Sequence, residues 1–375
     1  MNFAPTPRQL EIRSLVDDIA ARHCTEAQEQ ERDTTGSFPA GLYAELAQTR
    51  LLTLWKEAAA GAGMLNGCVL SEAMGRHSAT GSSLIFVSGI SAALIARGGS
   101  PIANMLLDGL EAGSLKLAFG LTECSAGSDA SALSTTAVRD GSDYLIEGEK
   151  RYTTGARDAD YILAVVRTGE PSGLRPGLSI VAVPTAASGV HITPLDKIAG
   201  NGHASCTVRF DQVRVSAEHL IGREDNAWSV LYLGAMIERM AVAASAVGMA
   251  QRAYDEAVNY LSQRHSGGHA VTGYQAIQHQ LVDLAMQIQA MRSTAYYAAW
   301  FADNGTDATA EINMAKVFCV EGAAQVITEA FRLCGGVSYL ADSVLYRLWR
   351  EASLGYFAGG TTEIARNAAA RRLGF

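Results

Sequence analysis

The stretch Phe119-Gly-Leu-Thr-Glu-Cys-Ser-Ala-Gly-Ser-Asp129 decides how the rest of the chain is interpreted. Apolar residues 117–121 predict the end of a strand, and residues 122–131 form a loop of mostly small polar side chains. Such side chains leave the backbone accessible, so that N–H groups and hydroxyls can approach a ligand closely. We therefore predict a ligand-binding loop directly after this strand.

Two later stretches repeat this pattern of small and hydroxyl-bearing residues. Lys150-Arg-Tyr-Thr-Thr-Gly-Ala156 places an aromatic residue before paired threonines, and Gly359-Gly-Thr-Thr-Glu-Ile364 lies near the end of the chain. Each stretch alone is a weak signal, since an ordinary turn between strands has the same composition. The three stretches in this order and at this spacing form a specific pattern.

The three stretches together resemble the acyl-CoA dehydrogenase family of flavoproteins. In that family the first motif usually reads Thr-Glu-Pro-Gly-Ala-Gly-Ser-Asp and the second Trp-Ile-Thr-Asn-Gly. The third reads Glu or Gly, followed by Gly-Thr-x-x-Ile. The resemblance covers nearly the whole chain and is strongest from Phe119 onward. It implies a helix–sheet–helix architecture, bound FAD and dehydrogenation of an acyl thioester.

Length and composition agree with a large globular enzyme. The chain has 375 residues, which is more than one hydrophobic core usually serves, so two or three domains are expected. Charged residues make up only 18%, which suggests that part of the surface is lost to subunit contacts. The net charge of −8 argues against a nucleic-acid partner.

The sequence also indicates where the protein works. It contains no 18-residue uncharged apolar run that predicts a membrane span, and its first residues lack the features of a secretory signal. None of its six cysteines forms a Cys-x-x-Cys pair, so neither a zinc site nor a disulfide framework is predicted. We expect reduced thiols, no metal, no membrane and a cytoplasmic location.

The pattern of apolar residues predicts three domains and an α+β fold. Residues 1–115 are predicted to form an N-terminal helical domain, and residues 223–375 have the long amphipathic helices of a C-terminal four-helix bundle. Residues 116–222 contain β-rich runs with no helix between them, so we predict a central antiparallel β-domain and no Rossmann unit. Asp140-Gly-Ser-Asp143 predicts a hairpin turn within it.

The proposed chemistry needs a cofactor, because no protein side chain accepts a hydride. The chain has no Gly-x-Gly-x-x-Gly after a strand, so a dinucleotide would have to be bound by other means. The resemblance implies FAD, bound first by residues of the ligand-binding loop and of the second motif. These residues are Phe119, Leu121, Thr122, Gly127, Ser128, Tyr152, Thr153 and Thr154.

The resemblance implies further FAD contacts, some from a neighbouring subunit, and therefore a homotetramer or at least a dimer. Those contacts are Arg264, Ser266, Arg332 and Gly336, with Thr361 and Glu363 near the adenosine. Gly267 replaces the usual Phe, which makes that wall of the site thinner. The arginine at position 332 replaces a common Gln and adds a cation where FAD carries negative charge.

The catalytic base is expected at an unusual position. Many members of the family carry it as the Glu directly before Gly-Thr in the last motif, where this chain has Gly359. Branched-chain and long-chain members carry a Glu before Arg on an earlier helix, which matches Glu238-Arg239. Apolar neighbours raise the pKa of a carboxyl toward working pH, which suits a general base. The alternative is that Glu238 only pairs with arginines of the bundle.

The preferred function is α,β-dehydrogenation of an acyl thioester, by abstraction of the α-proton and transfer of a β-hydride to flavin N5. Ser128, Arg239, Gly359 and Gly360 are the expected substrate contacts, and Arg239 is expected to face the carrier phosphate or another carboxylate. Because Cys124-Ser125 replaces the usual Pro-Gly, the carrier could be coenzyme A or an acyl carrier protein.

The resemblance implies an electron-transfer flavoprotein, or a similar acceptor, as the redox partner, and a role in fatty acid or branched-chain acyl metabolism. Two alternatives to the dehydrogenase stay open. The first is an oxygen-using flavin oxidase or monooxygenase on the same scaffold. The second is a flavin-binding member without catalysis, which Gly359 alone would suggest.

Overall fold

The computed structural model of the chain describes residues 4–170 and 177–375. Its N-terminal region is helical, as predicted, with a 3-10 helix at Leu51–Ala60. The helices are α1 Pro7–His23, α2 Glu26–Thr35, α3 Ala40–Gln48, α4 Met64–His77, α5 Ala79–Gly98 and α6 Ala103–Glu111. Helix α1 begins at a capping box, in which Thr6 and Gln9 each bond the backbone N–H of the other. Pro7 then occupies a helical position that needs no N–H donor.

The central region forms an eight-stranded sheet with the order β6-β7-β3-β2-β4-β5-β8, and β1 pairs with β4. The strands are β1 Leu117–Gly120, β2 Thr136–Asp140, β3 Asp143–Thr154, β4 Tyr161–Arg167, β5 Leu178–Pro184, β6 Val190–Pro194, β7 Ser205–Ser216 and β8 Leu220–Ile221. The predicted hairpin turn is confirmed, since Asp140 at the end of β2 pairs with Asp143 at the start of β3.

The sheet is mostly antiparallel, but it is not purely so, which corrects the predicted detail. Strands β1 and β4 run parallel, with Leu117 opposite Tyr161, and β2 meets β4 in parallel at Thr136. Parallel neighbours need a long connection. The chain between β1 and β4 supplies it, because it contains the ligand-binding loop and the β2–β3 hairpin. The loop therefore leaves the sheet beside β4.

The C-terminal region is a bundle in which α9 packs against α8, α10 and α11. Its helices are α7 Trp228–Gln263, α8 Gln275–Asp303, α9 Thr309–Cys334, α10 Val344–Ala352 and α11 Thr362–Leu373. A short hairpin of β9 His265–Ser266 and β10 His269–Ala270 connects α7 to α8. Buried apolar residues such as Ala257, Ile327 and Leu348 form the core of this region.

The chain divides into two compact units. One contains residues 1–30, 64–82 and 238–375, and the other contains residues 31–63 and 83–237. In the first unit α4 and α7 approach each other so closely that a Cβ at Gly248 would lie 2.1 Å from the Glu72 carbonyl oxygen. Glycine at this position therefore permits the contact. The predicted domain limits at residues 115 and 222 remain a prediction.

Two of the described helices, α5 and α7, are long and apolar enough to cross a membrane, which the sequence analysis did not expect. Most of the apolar window of each helix is buried inside the protein. A helix that is apolar on most sides is also typical of the core of a large protein. These two helices belong to that class by their burial.

Candidate active site

The first and second motifs lie side by side in the sheet-containing unit, and a buried ion pair connects them. The ammonium of Lys150, which is fully buried, donates to the Glu123 carboxylate at 2.7 Å and to the Leu121 carbonyl at 3.1 Å. The backbone N–H of Arg151 also donates to the Thr122 carbonyl. The ligand-binding loop is thus fixed to strand β3 at three points.

The Glu123 carboxylate is held in its charged form. Burial alone would raise its pKa, but hydrogen bonds from Lys150, Ser134 and Thr135 lower that pKa to about 2. Burial lowers the pKa of Lys150 to about 8 against the attraction of Glu123, so both groups are charged at neutral pH. The sequence analysis missed both residues as parts of the site. The available signal was a lone acid and a lone lysine inside the two motifs.

The segment 152–154 at the end of β3 has the geometry of a ligand contact. The register between β3 and β7 shifts between Lys150 and Thr153, and Tyr152 has a φ of +61°. A bulge of this kind redirects a side chain, and a left-handed conformation is costly for a residue other than glycine. The ring of Tyr152 is 61% exposed, with the Arg151 guanidinium 5.4 Å from its centre.

The residues present in this unit fit a flavin. The hydroxyl of Thr153 is buried and has no hydrogen-bond partner within residues 4–170 and 177–375. Buried polar atoms are usually paired, so this hydroxyl has a bond to offer to a bound ligand. Gly127 and Ser128 are exposed on the same loop, Phe119, Leu121 and Thr122 are partly exposed, and the Thr154 hydroxyl lies 3.1 Å from that of Ser205.

The remaining predicted FAD contacts lie in the other unit, and all of them except the partly exposed Thr361 are solvent-exposed. Arg264 and Ser266 are at the β9–β10 hairpin, where Gly267 has a φ of +58° and a Cβ there would lie 2.7 Å from the Tyr274 hydroxyl. The positive φ makes a side chain at position 267 costly. Arg332 forms an exposed ion pair with Glu329 at 2.7 Å, near the exposed Gly336.

The third motif provides the start of helix α11. The Thr361 hydroxyl accepts from the Ile364 N–H, which caps the helix, and Glu363 accepts from the Thr362 hydroxyl at 3.1 Å. Capping satisfies N–H groups that a helix leaves free at its first turn. The predicted contact of Thr361 and Glu363 with the adenosine stays a prediction.

Glu238 and the third motif come together in the C-terminal unit. The Glu238 carboxylate accepts the Gly359 N–H at 3.0 Å, and the Arg239 Nε donates to the Gly359 carbonyl at 2.9 Å. Glu238 and Arg239, which are neighbours on α7, thus bond the N–H and the carbonyl of Gly359. The Arg239 Nε thus has a carbonyl partner, and the expectation that Arg239 faces a carrier phosphate or a carboxylate stays a prediction.

A buried lysine that the sequence analysis missed completes this cluster. The ammonium of Lys316 on α9 donates to the Gly360 carbonyl at 2.8 Å. Burial and the charge of Arg239 together lower the pKa of Lys316 to about 8. A single lysine among the apolar residues of α9 was the signal available in the sequence.

The Glu238 carboxyl sits in an environment suited to a base. Burial raises its pKa above the ordinary value, while the Gly359 N–H and the charges of Arg239 and Lys316 partly offset that increase. Water still reaches part of the residue. Within the described ranges, no three His, Cys, Asp or Glu side chains group closely enough to hold a metal ion.

Comparison with protein families gives three matches along the chain. The models of the acyl-CoA dehydrogenase N-terminal, middle and C-terminal domains match residues 6–103, 118–213 and 227–374. The structure also agrees with a solved relative. It matches butyryl-CoA dehydrogenase from Megasphaera elsdenii with a TM-score of 0.92 and 27% identity over 100% of both chains. The predicted fold class is therefore confirmed.

Curated relatives agree over their full length. The chain is 32% identical to the probable acyl-CoA dehydrogenase YngJ of Bacillus subtilis, covering 100% of both sequences. It is 30% identical to the cyclohexane-1-carbonyl-CoA dehydrogenase of Geobacter metallireducens, covering 97% of each. The chain therefore belongs to the acyl-CoA dehydrogenase family, as an oxidoreductase whose cofactor is FAD.

Proposed function

We propose that this protein dehydrogenates an acyl thioester between Cα and Cβ, and that Glu238 removes the α-proton. The observation that carries the proposal is the 3.0 Å hydrogen bond between the Glu238 carboxylate and Gly359. The commoner base position of the family corresponds to Gly359, and Glu238 reaches it from another helix. FAD, when bound, supplies the acceptor for the hydride that leaves Cβ.

The surroundings of Glu238 support the role of a base. A carboxylate takes a proton efficiently when its pKa lies near the working pH, and burial raises the pKa of Glu238 in that direction. The nearby charges of Arg239 and Lys316 limit the increase, because they favour the charged carboxylate. The competing role in a structural ion pair has less support, since the Arg239 Nε bonds Gly359 instead.

The Gly359 N–H has a second use in this proposal. Loss of the α-proton places negative charge on the thioester oxygen, and a fixed N–H donor stabilises such charge. The Gly359 N–H lies beside the base, and Lys316 and Arg239 hold the carbonyls of Gly360 and Gly359. We propose that Gly359 and Gly360 contact the thioester through their backbone.

We propose coenzyme A or an acyl carrier protein as the carrier, and an electron-transfer flavoprotein as the acceptor. The relative from Geobacter metallireducens is named for a coenzyme A thioester. A solved structure that covers 100% of this chain, with 28% identity and a TM-score of 0.93, was described in a study of the electron-transferring flavoprotein of Acidaminococcus fermentans. The acyl group itself is not assigned.

We also propose a homotetramer, or at least a dimer. Helices α8 and α9 expose large apolar side chains, among them Tyr297, Trp300, Met314 and Phe318. Exposed apolar side chains in such number are typical of a surface that another protein covers. Sedimentation of the FAD-loaded protein tests this, and a fully loaded monomer would contradict it.

Anaerobic reduction of the bound flavin tests the function. The purified protein is mixed with a panel of acyl-coenzyme A and acyl carrier protein thioesters, and the loss of flavin absorbance is followed. We expect bleaching by at least one thioester. Rapid return of colour in air without an added acceptor would favour an oxidase, and bleaching by none would favour a member without catalysis.

The Glu238→Gln variant tests the base. It keeps the shape of the side chain and removes its basicity, so flavin reduction should fall by on the order of 10²–10⁴ with the FAD content unchanged. Glu321→Gln is the matched control, because Glu321 lies in the same unit and pairs with Arg366 at the surface. Reduction by Glu238→Gln at nearly the parent rate would show that the base lies elsewhere.

A further inference from the structure

A buried histidine lies directly behind the segment 152–154. His203 precedes β7 and is 5% exposed. Its Nδ1 lies 2.8 Å from the Ser83 hydroxyl on α5, and its ring meets the ring of Phe38 edge to face with 6.3 Å between centres. The imidazole therefore has one hydrogen-bonded edge and one packed edge, which leave it little freedom to rotate.

The other side of this imidazole touches the end of strand β3. A Cβ built on Gly155 would lie 2.4 Å from the Nε2 of His203, so the ring occupies the space that a side chain at position 155 would need. Gly155 has a φ of +83°, and its N–H donates to the Ala204 carbonyl at 2.7 Å. Because Gly155 directly follows Thr154, the ring limits how far the end of β3 can move inward.

The charged groups around His203 keep its imidazole neutral, and one of them also holds the loop that precedes His203. Lys197 donates to the carbonyls of Gly200 and His203 at 2.8 and 2.9 Å. Burial and the charges of Lys197 and Arg157 together lower the pKa of His203 to about 3. The imidazole is therefore uncharged over the physiological range, and it acts through its shape and through the bond to Ser83.

We propose that His203, held by Ser83, is a positioning residue for the flavin, because it fixes the Thr154–Gly155 end of β3. The left-handed backbone at Tyr152 persists only where the surroundings over-determine it. The ion pair of Lys150 fixes the segment on its N-terminal side, and His203 fixes it on its C-terminal side. The proposal uses the assignment of residues 152–154 as flavin contacts, but neither the identity of the base nor that of the substrate.

The test compares His203→Ala and Ser83→Ala with the parent in the absence of any thioester. The readouts are the dissociation constant of FAD, measured by titration of apoprotein, the visible spectrum of the bound flavin and its midpoint potential. We expect each variant to weaken FAD binding by about tenfold, because the released end of β3 must be ordered again on binding, and to shift the flavin spectrum. His191→Ala, at an exposed histidine of β6, should change none of these.

Conservative replacement separates positioning from general stability. His203→Asn can keep a bond to Ser83 and should recover part of the FAD affinity lost in His203→Ala. If His203→Ala unfolds, Ser83→Ala and His203→Asn still decide the matter by the same readouts. Parent values of affinity, spectrum and potential in the folded variants would overturn the proposal, even if thermal stability fell. A parent protein that binds no FAD would instead contradict the proposed function.

Discussion

Two carboxylates, each with a buried lysine nearby, lie one in each compact unit, and their pKa values move in opposite directions. Glu123 accepts four hydrogen bonds, from Lys150, Ser134 and Thr135, and its pKa falls to about 2. Glu238 accepts one hydrogen bond from the described residues, that of Gly359, and burial raises its pKa. The same residue types thus give a carboxylate with a lowered pKa in one unit and a carboxylate with a raised pKa in the other.

The position of each lysine explains much of the difference between the pKa values of the two carboxylates. Lys150 donates directly to Glu123, whereas Lys316 donates to the Gly360 carbonyl and acts on Glu238 only through its charge. A carboxylate whose lone pairs are filled by donors gains little by taking a proton. A carboxylate with unfilled lone pairs in a poorly hydrated place can take one. This contrast agrees with a structural role for Glu123 and with the proposed role of Glu238 as the base.

The largest expected effect is on stability and comes from Glu123→Gln. The change leaves the Lys150 charge buried without its counter-charge, which should lower the free energy of unfolding by about 3–5 kcal/mol. Urea unfolding of the variant and the parent measures the loss. The double variant Glu123→Gln with Lys150→Met should recover most of it. Equal stability of the single variant and the parent would break the comparison, because Glu123 would then not need its charge.

The pH dependence of unfolding gives a second, smaller test of the same pair. The pKa of Glu123 is about 2 in the folded chain against an ordinary 4.5, so its stabilisation is present above pH 4.5 and is lost as the pH falls toward 2. In that window the free energy of unfolding of the parent should fall more steeply than that of the double variant. Parallel curves would contradict the assignment of a permanent charge.

The sequence predicted the helix and the candidate base on it, but it did not predict the lysine contacts between residues distant in the chain. Periodicity predicted long helices within residues 223–375, of which α7 Trp228–Gln263 is one, and the family resemblance pointed to the Glu-Arg pair on it as the candidate base. The lysines were missed because their roles depend on partners distant in the chain, 29 residues away for Leu121 and Lys150 and 44 residues away for Lys316 and Gly360. Residue-spacing patterns describe one helix or strand at a time, so they do not reveal contacts between residues that are distant in the chain.

Backbone conformation was the other part that the sequence could not supply. Nothing in the residue type predicts a left-handed Tyr152, since tyrosine rarely adopts that conformation. The parallel pairing of β1 with β4 was missed for a related reason. Apolar runs predict strands, but their direction depends on connections that are settled only in three dimensions.

Removing the charge of Lys316 tests whether that charge lowers the pKa of Glu238. In Lys316→Met the carboxylate of Glu238 loses a nearby cation, so its pKa should rise further and the pH profile of flavin reduction should move to higher pH. Stopped-flow reduction by an active thioester across the pH range measures the profile. A loss of affinity for the thioester is also expected, because the Gly360 carbonyl loses its donor. An unmoved profile would show that Lys316 does not act on the base.

The smallest expected effect is the activity regained when the base is moved to position 359. In Glu238→Gln with Gly359→Glu, the new carboxylate starts from the backbone that Glu238 now contacts, so it should reach a similar point. Two features limit the gain. Gly359 has a φ of +69°, which costs other residues roughly 1–2 kcal/mol, and a Cβ there would lie 3.3 Å from the Arg239 Cγ.

We therefore expect reduction to recover only a small part of what Glu238→Gln loses. Gly359→Ala in the Glu238→Gln background carries the same backbone strain without a carboxylate, so it is the matched control for the chemistry. The quantity to compare is the rate of flavin reduction of the Glu and Ala variants at equal FAD content. A faster Glu variant supports a shared α-carbon for the two positions. Equal rates, with both variants folded and loaded with FAD, would show that position 359 does not face the carbon from which Glu238 removes the proton.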